Sequence, residues 1–493
     1  IAAGVNSNPH LPDPSFSHLF DRGGFFPREL DGFLVSLVFV MFSFGGIELI
    51  GITAGEAENP QRSIPKAVNQ VVYRILIFYI GALTIVMAVV PWRQINGKLS
   101  PFVQIFDSVG IKAAAHMLNF VVLTAALSVY NSGLYSNGRM LYSLAWQGNA
   151  PKAFTKLSHR GIPYVGVLFS SLVTATAVAI VYFLPETAFT IVISTALASG
   201  IISWAIILIT QRKFRKAIGP QGEAELSFKL PGGKTTNSIV LAALGGLLAL
   251  MAFSADYRTA AIVLPIWLAI LSVAYEVGRR RSGLGGPGRN EGPGGQAPMT
   301  PTSRRAQRYE ESMNGHSGTS SGKDGRLGRR AAESLGARRE DAFDDVVARK
   351  DPEGLRKGLT TRHIQMIAFG GAIGTGLFYG SAAGIKLAGP SILLAYALCG
   401  AVIFFVVRAM GEMSVHRPSS GSFSRYANDY WSPRAGFVAG WNYWFNYIAV
   451  AMAELTVVGQ YVQYWFPSVP AWASAAAVLL VITAVNLVGV RAF

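Results

Sequence analysis

The sequence predicts an all-α membrane protein that crosses the bilayer about eleven times. Three observations predict it. Of 493 residues, 51% are hydrophobic, and the mean hydropathy is +0.36. Charged residues make up 14%, against about 25% in an average soluble domain. The charges are also unevenly placed, leaving apolar runs of about 20 residues, the length a helix needs to cross the hydrocarbon core. The net charge of +16 does not point to nucleic acid as a partner. The basic residues sit in loops and one linker between apolar runs, where orientation in a membrane requires them.

In chain order, apolar runs near 33–55, 68–90, 112–136, 164–184, 187–210, 237–255 and 259–278 each suit one span. A polar segment comes next, over 279–361, carrying GLGGPGRNEGPGGQ, SGTSSGKDGR and ARREDAFDDVVARKDPEG. Such Gly, Ser and charge content with few aromatics predicts a disordered linker, with a short helix expected only over 331–349. Met299, inside this segment, would serve as a natural start for the C-terminal block. Runs near 363–385, 389–411, 435–465 and 470–490 complete the set. The chain thus divides into 1–278, the linker 279–361 and 362–493.

Lys and Arg alternate between loops, as orientation demands. Arg62 and Lys66 follow the first run; Arg139, Lys152, Lys156 and Arg160 the third; Arg212, Lys213, Arg215 and Lys216 the fifth. The basic linker follows the seventh, and Arg408, Arg417, Arg425 and Arg434 the ninth. The other loops hold only Arg93, Lys98, Arg258 and Lys386. This predicts a cytoplasmic linker, an N-terminus outside and a C-terminus inside, and one further span would close the chain into a circle. The sequence shows no pattern of a cleavable leader, so none is expected, and the start at Ile1 rather than Met hints at a fragment, a fusion or a rearranged order. The single cysteine, Cys399, lies in an apolar run and reads as a small buried residue without a disulfide.

Two of the runs hold glycines in mid-span: VFVMFSFGGIELIG (38–51) and FGGAIGTGLF (369–378). Each glycine costs a helix about 1 kcal/mol relative to alanine. Interrupted spans in corresponding positions of two halves mark a transporter site. An unwound helix exposes N–H groups that bind a carboxylate and C=O groups that bind an ammonium, which an amino acid zwitterion needs together. Close helix packing is an equal explanation for Gly370–Gly376, and the stronger one for Gly436 and Gly440. A phosphate loop is a poor third, since G-x-x-G-x-G is not the dinucleotide fingerprint and no βαβ unit surrounds it.

KGLTTRHIQMIAFGGAIGTGLFYGSAAGIKLAGP resembles the first span of permeases of the amino acid–polyamine–organocation superfamily. GEMSVHRPSSGSFSRYA looks like their loop after span two. FSFGGIELIGITAGEAENPQRSIPKAVNQVVYRILIFYIGAL is similar to their spans six and seven, and YNSGLYSNGRMLYSLAWQGNAPK to span eight and the loop after it. The resemblance covers nearly all of the chain outside the linker and is strongest to bacterial permeases for aromatic amino acids and their proline-type relatives. It implies a five-plus-five inverted-repeat fold. The order departs from the family, because spans resembling six to twelve precede those resembling one to four. NLVGVRAF looks like the approach to span five, and IAAGVNSNPH like the segment after that span. The chain therefore reads as permuted or fused, with span five missing. In some relatives a span-five lysine is tied to proton coupling, and no such position is present.

The resemblance implies that the N–H groups of Gly374, Thr375 and Gly376 hold the substrate carboxylate. The carbonyls of Phe42, Ser43 and Phe44 would hold its ammonium, with Ile47 and Phe44 lining the side-chain pocket. Glu48 and Glu454 are intramembrane carboxylates, which cost about 2.5–3.5 kcal/mol each and are functional by default. Either is a candidate for the coupling proton, with a structural hydrogen bond as the alternative. Asn131 and Ser132 face either the site or a neighbouring helix. AGEAENPQRSIPKA is expected as a cytoplasmic loop in which Glu56, Glu58 and Arg62 form a gating ion pair or simply a solvated surface. His116, His159, His363 and His416 lack metal spacing, no cofactor is implied, and no nucleophile arrangement suggests an enzyme. The expected function is proton-coupled import of a neutral or aromatic amino acid across a bacterial cytoplasmic membrane. Proline, histidine and small neutral amino acids are rival substrates. A sensor that binds without transport, or an inactive fusion product, are the alternatives from other classes, and the oligomeric state is open.

Overall fold

The computed structural model describes residues 13–281 and 374–488, apart from 22, 53, 55, 56, 58, 96–99, 109, 186, 255, 256, 420 and 421. Every element among these residues is helical, and the protein is an all-α membrane protein. Contacts divide the chain into one unit of 1–272 with 351–493 and a second of 273–350. Of the second unit, only 273–281 is described, as the end of a helix.

Helix α1 (Glu29–Phe42) opens with Glu29 and Asp31, carboxylates suited to the positive end of the helix dipole. It stops before Ser43 and resumes as α2 (Leu49–Ile52). Gly46 between them has φ +92°, a left-handed conformation that glycine adopts without steric cost. The Gly-Gly pair therefore does break this span. Asn59 caps α3 (Pro60–Val89), its side chain accepting the Arg62 N–H at 3.3 Å, and Pro60 occupies the first turn. This corrects the expected loop: Arg62 and Lys66 belong to a helix. Glu56 and Glu58 lie outside the described residues, as do Gly370, Gly371, Met299, His363, Lys98 and the linker's 282–361. The middle of α3, Ile75–Gly81, is a π-helical stretch.

Helices α4 (Pro101–Ser108), α5 (Lys112–Trp146), α6 (Tyr164–Phe183), α7 (Ala188–Glu225), α8 (Gly233–Phe253) and α9 (Arg258–Arg281) come next. Near its end α7 kinks at Gly219 (φ +69°), just before Pro220. After 373 come α10 (Thr375–Phe378), α11 (Gly380–Ala388), α12 (Ile392–His416), α13 (Ser422–Tyr430), α14 (Pro433–Gln463) and α15 (Ala471–Val488). Ser432 caps α14 by accepting the Ala435 N–H at 3.1 Å, with Pro433 at the first helical position.

Among the described residues, eight helical stretches are long and apolar enough to cross a membrane: α3, α5, α6, α7, α8, α9, the continuous stretch Gly380–His416, and α15. The sequence predicts about eleven. The α1–α2 break leaves no uninterrupted length there, and Asn442, Asn446, Glu454 and Gln460 dilute the apolar character of α14. The expected run 363–385 is described only from 374, and its end joins the next run through the turn Gly389–Ser391.

In the first unit, α14 packs against α5, α7, α13 and α15, while α1 packs against α11 and α12. Gly436 and Gly440 serve this packing: a Cβ there would meet Asn428 Cβ at 2.6 Å and Leu144 Cδ2 at 2.5 Å. A buried polar knot ties α12 to the end of α7. Glu412, fully buried, accepts from Arg215 Nε and Nη2 at 2.7 Å each, from Gln211 Nε2 at 2.9 Å and from the Leu230 N–H at 2.6 Å.

Candidate functional site

The glycine break of the first span meets the helix start at Gly374–Gly376, in the second glycine-rich run, in the interior of the first unit. A Cβ on Gly376 would stand 2.6 Å from Ser43 Cα, so glycine is required there by the approach of two backbones. The Ser43 hydroxyl donates to the Gly376 carbonyl at 2.8 Å. Close packing and site building are thus the same event at this position.

Beside this contact lies a small cavity. The first break contributes Phe42, Ser43, Gly45, Gly46 and Leu49, and the second contributes Gly374 and Gly376. Val129 of α5 and Tyr447, Val450 and Glu454 of α14 complete the wall. Gly374 leaves room here, since a Cβ would meet Val129 at 2.8 Å and Glu454 Oε1 at 3.4 Å.

Glu454 is 2% exposed. Its Oε1 accepts the Thr375 hydroxyl at 2.8 Å, and the Thr375 backbone N–H is directed at the same carboxylate. Its Oε2 has no hydrogen-bond partner among the described residues. A buried polar atom without a partner beside a cavity is where a ligand or a proton finds a place. Glu48 is equally buried, but Trp204 Nε1 donates to its Oε2 at 3.3 Å, and the Gly46 N–H turns back onto it. It holds the broken segment to α7 and meets the cavity wall only through Tyr447.

The expected ligand groups are therefore only partly free. The Thr375 hydroxyl is taken up by Glu454, itself part of the cavity wall. The Phe42 carbonyl accepts the Gly45 N–H at 2.9 Å and the Ser43 carbonyl accepts the Tyr79 hydroxyl at 3.1 Å, and each oxygen keeps a second lone pair. Phe44 turns away from the cavity, with ring centroids 5.1 Å from Tyr79 and 6.0 Å from Tyr396. Ile47 is buried in the helix packing. The left-handed turn at Gly46 interrupts the helical phase on either side of it, so neither side chain lines the pocket. Asn131 also lies away from the cavity; its Oδ1 accepts Asn486 Nδ2 at 2.6 Å and joins α5 to α15. Tyr447, Val450 and Leu49 escaped the sequence reading. The first two sit seven and four residues before Glu454 on α14, a helical spacing that marks one face.

Comparison with known proteins adds a family. The model for the amino acid permease family matches residues 1–283 and 363–493. An uncharacterized amino acid permease of Bacillus subtilis, YtnA, is 48% identical over 259 residues, 52% of this chain and 56% of the relative. The aromatic amino acid transport protein AroP of Escherichia coli K12 is 45% identical over 266 residues, 54% of this chain and 58% of the relative. The uncharacterized transporter YdgF of Bacillus subtilis is 44% identical over 263 residues, 53% of this chain and 57% of the relative. The chain spans little more than half the length of these relatives. No solved structure matches it.

Proposed function

The chain belongs to the amino acid permease family, and on that premise we propose that it is a secondary transporter carrying an amino acid across a bacterial cytoplasmic membrane. The observation that carries this reading is the contact of a glycine-broken helix with the glycine-rich start of α10 at a cavity that holds a buried carboxylate. The substrate carboxylate lies against the N–H groups of Gly374 and Gly376. Its ammonium takes the remaining lone pairs of the Phe42 and Ser43 carbonyls. Phe42, Leu49, Val129 and Val450 make an apolar wall with Tyr447, which suits a neutral or aromatic side chain. A cationic side chain would want a second carboxylate, and Glu48 is not among the residues that line the cavity. Similarity to proteins named for aromatic amino acid transport supports the same choice.

Glu454 is the proton site in this reading. It borders the cavity, and through Thr375 it touches the second break, so its protonation changes a hydrogen bond of the substrate-holding segment. One charge falling through 100 mV releases about 2.3 kcal/mol. At about 150 mV a single proton supports roughly 300-fold accumulation. Residues 279–361 act as a cytoplasmic connector, consistent with the family model leaving 284–362 unmatched. The permuted order of the two blocks rests on the order of their span motifs.

Uptake of labelled phenylalanine, tyrosine, proline and histidine into vesicles carrying the protein, with an acidic exterior, tests the proposal. Saturable uptake of phenylalanine or tyrosine, abolished by a protonophore, is expected. Uptake indifferent to the protonophore would sink proton coupling, and no saturable uptake of any of the four would sink transport.

A further inference from the structure

Behind the cavity, on the far side of Ser43, Phe44, Tyr79 and Tyr396 form a buried aromatic cluster. Tyr79 comes from the π-helical stretch of α3 and Tyr396 from α12, and the ring centroids of the two tyrosines are 5.3 Å apart. A π turn carries one residue more than an α turn, which rotates the side chains beyond it and is found at functional positions. Neither tyrosine lines the cavity, yet both hydroxyls end on Ser43.

The directions of these bonds follow from proton count. A serine hydroxyl has one proton and two lone pairs. Ser43 gives its proton to the Gly376 carbonyl at 2.8 Å. In the 3.2 Å contact between the two hydroxyls, Tyr396 is therefore the donor. The result is a directed chain, Tyr396 O–H to Ser43 O–H to Gly376 C=O, in which each bond polarises the next. Tyr79 acts separately, donating to the Ser43 backbone carbonyl at 3.1 Å. One hydroxyl thus fixes the serine rotamer and the other fixes the serine peptide.

We propose that Tyr79 and Tyr396 are positioning residues, which set the spacing of the two glycine breaks through Ser43 and so the fit of the cavity to its amino acid. The proposal rests on the transport reading. Tyr79 occupies one lone pair of the Ser43 carbonyl and leaves the other aimed for an ammonium. Tyr396 keeps the Ser43 hydroxyl on Gly376, so that the second break stays against the first. Neither hydroxyl touches the substrate; both determine where the groups that do touch it stand.

The test is a double-mutant cycle on uptake, with rates normalised to folded protein. Tyr396→Phe and Ser43→Ala are each expected to raise KM about three- to tenfold, the equivalent of one lost hydrogen bond, while Vmax changes little. Ser43→Ala with Tyr396→Phe should be no worse than the poorer single variant, because the partner is already gone. Ser43→Ala with Tyr79→Phe should be worse than either alone, because alanine retains the carbonyl that Tyr79 holds. An additive Ser43–Tyr396 pair, or variants that lower only the yield of folded protein with KM unchanged, would overturn the proposal. If the unmodified chain shows no uptake, the transport reading fails, and the same cycle is then read in thermal unfolding of the detergent-solubilised protein. There a coupled Ser43–Tyr396 pair upholds the positioning chain and an additive one removes it.

Discussion

At Gly376 a methyl group has nowhere to go, because the nearest atom is the backbone Cα of Ser43 at 2.6 Å, with the Ser43 Cβ and nitrogen at 3.2 Å. Overpacking of this kind costs about 1–3 kcal/mol. Gly376→Ala is therefore expected to lower the unfolding midpoint in detergent and abolish uptake, whereas Gly246→Ala, with open space around it in α8, should do neither. Glu454 offers a sharper test of mechanism. Glu454→Gln keeps an oxygen for the Thr375 hydroxyl but cannot exchange a proton. It should retain substrate binding and counterflow while losing protonophore-sensitive accumulation; unaltered accumulation would remove Glu454 from the coupling step. Glu454 is legible in the sequence because a carboxylate in an apolar run stands out. Tyr447 is not, because a tyrosine among α14's other aromatics carries no local mark of facing a cavity.

At the level of elements, one face of α12 reads the non-helical segment between α7 and α8. Leu226, Phe228 and Leu230 are buried alternately along it. Gly411 makes room for Phe228, whose ring would meet a Cβ there at 2.9 Å, and Arg408 lies over the same ring at 3.9 Å. Arg408 Nε donates to the Lys229 carbonyl at 2.8 Å, and Glu412 takes the Leu230 N–H. Residues 408, 411 and 412 are spaced to share a helix face. Arg215 bridges Glu412 and Glu223 at 2.7 Å each, across the Gly219–Pro220 kink. Removing one partner of a buried ion pair leaves the other charge uncompensated and costs about 3–5 kcal/mol. Glu412→Ala should therefore lower stability by that order in unfolding measured in micelles, with Glu412→Gln intermediate; a wild-type midpoint for the alanine variant would show that the knot contributes nothing. The helices themselves were largely legible, since apolar length and caps are local. This knot was not, because Glu412 lies in GEMSVH, a stretch that reads as the polar end of a span, and its partners lie 182 to 201 residues away.

For the whole molecule, the membrane decides which surfaces are acceptable. Ile262, Ile266 and Ile270 form an aliphatic stripe on α9, each more than half exposed in the isolated chain. In water such a stripe invites association; in lipid it is the ordinary surface of a span. A lysine at the centre of a span costs about 2.5–3.5 kcal/mol on insertion scales. Ile266→Lys should reduce the membrane-inserted fraction while Ile266→Leu leaves it unchanged, and equal insertion of the two would place that face against protein or water instead. The all-helical class and the family were accessible before any coordinates. Where a span is broken or joined to the next at a turn, as at Gly46 and at Gly389–Ser391, was not, because a hydropathy run carries no mark of either.

The helical membrane class, the mid-span glycines, the two intramembrane carboxylates and the resemblance to permeases were legible in the chain alone. Each of these is written in composition, periodicity or a contiguous motif. Packing, in contrast, sets that Ser43 and Gly376, 333 residues apart, touch; that the Thr375 hydroxyl goes to Glu454; that Phe44 packs against Tyr79 and Tyr396 and not along the cavity; and that Asn131 pairs with Asn486. These depend on which surfaces approach one another. A local pattern states that a residue has an unusual chemistry for its place, but hydrogen-bond partners and cavity walls are set by the packing of helices distant in the chain.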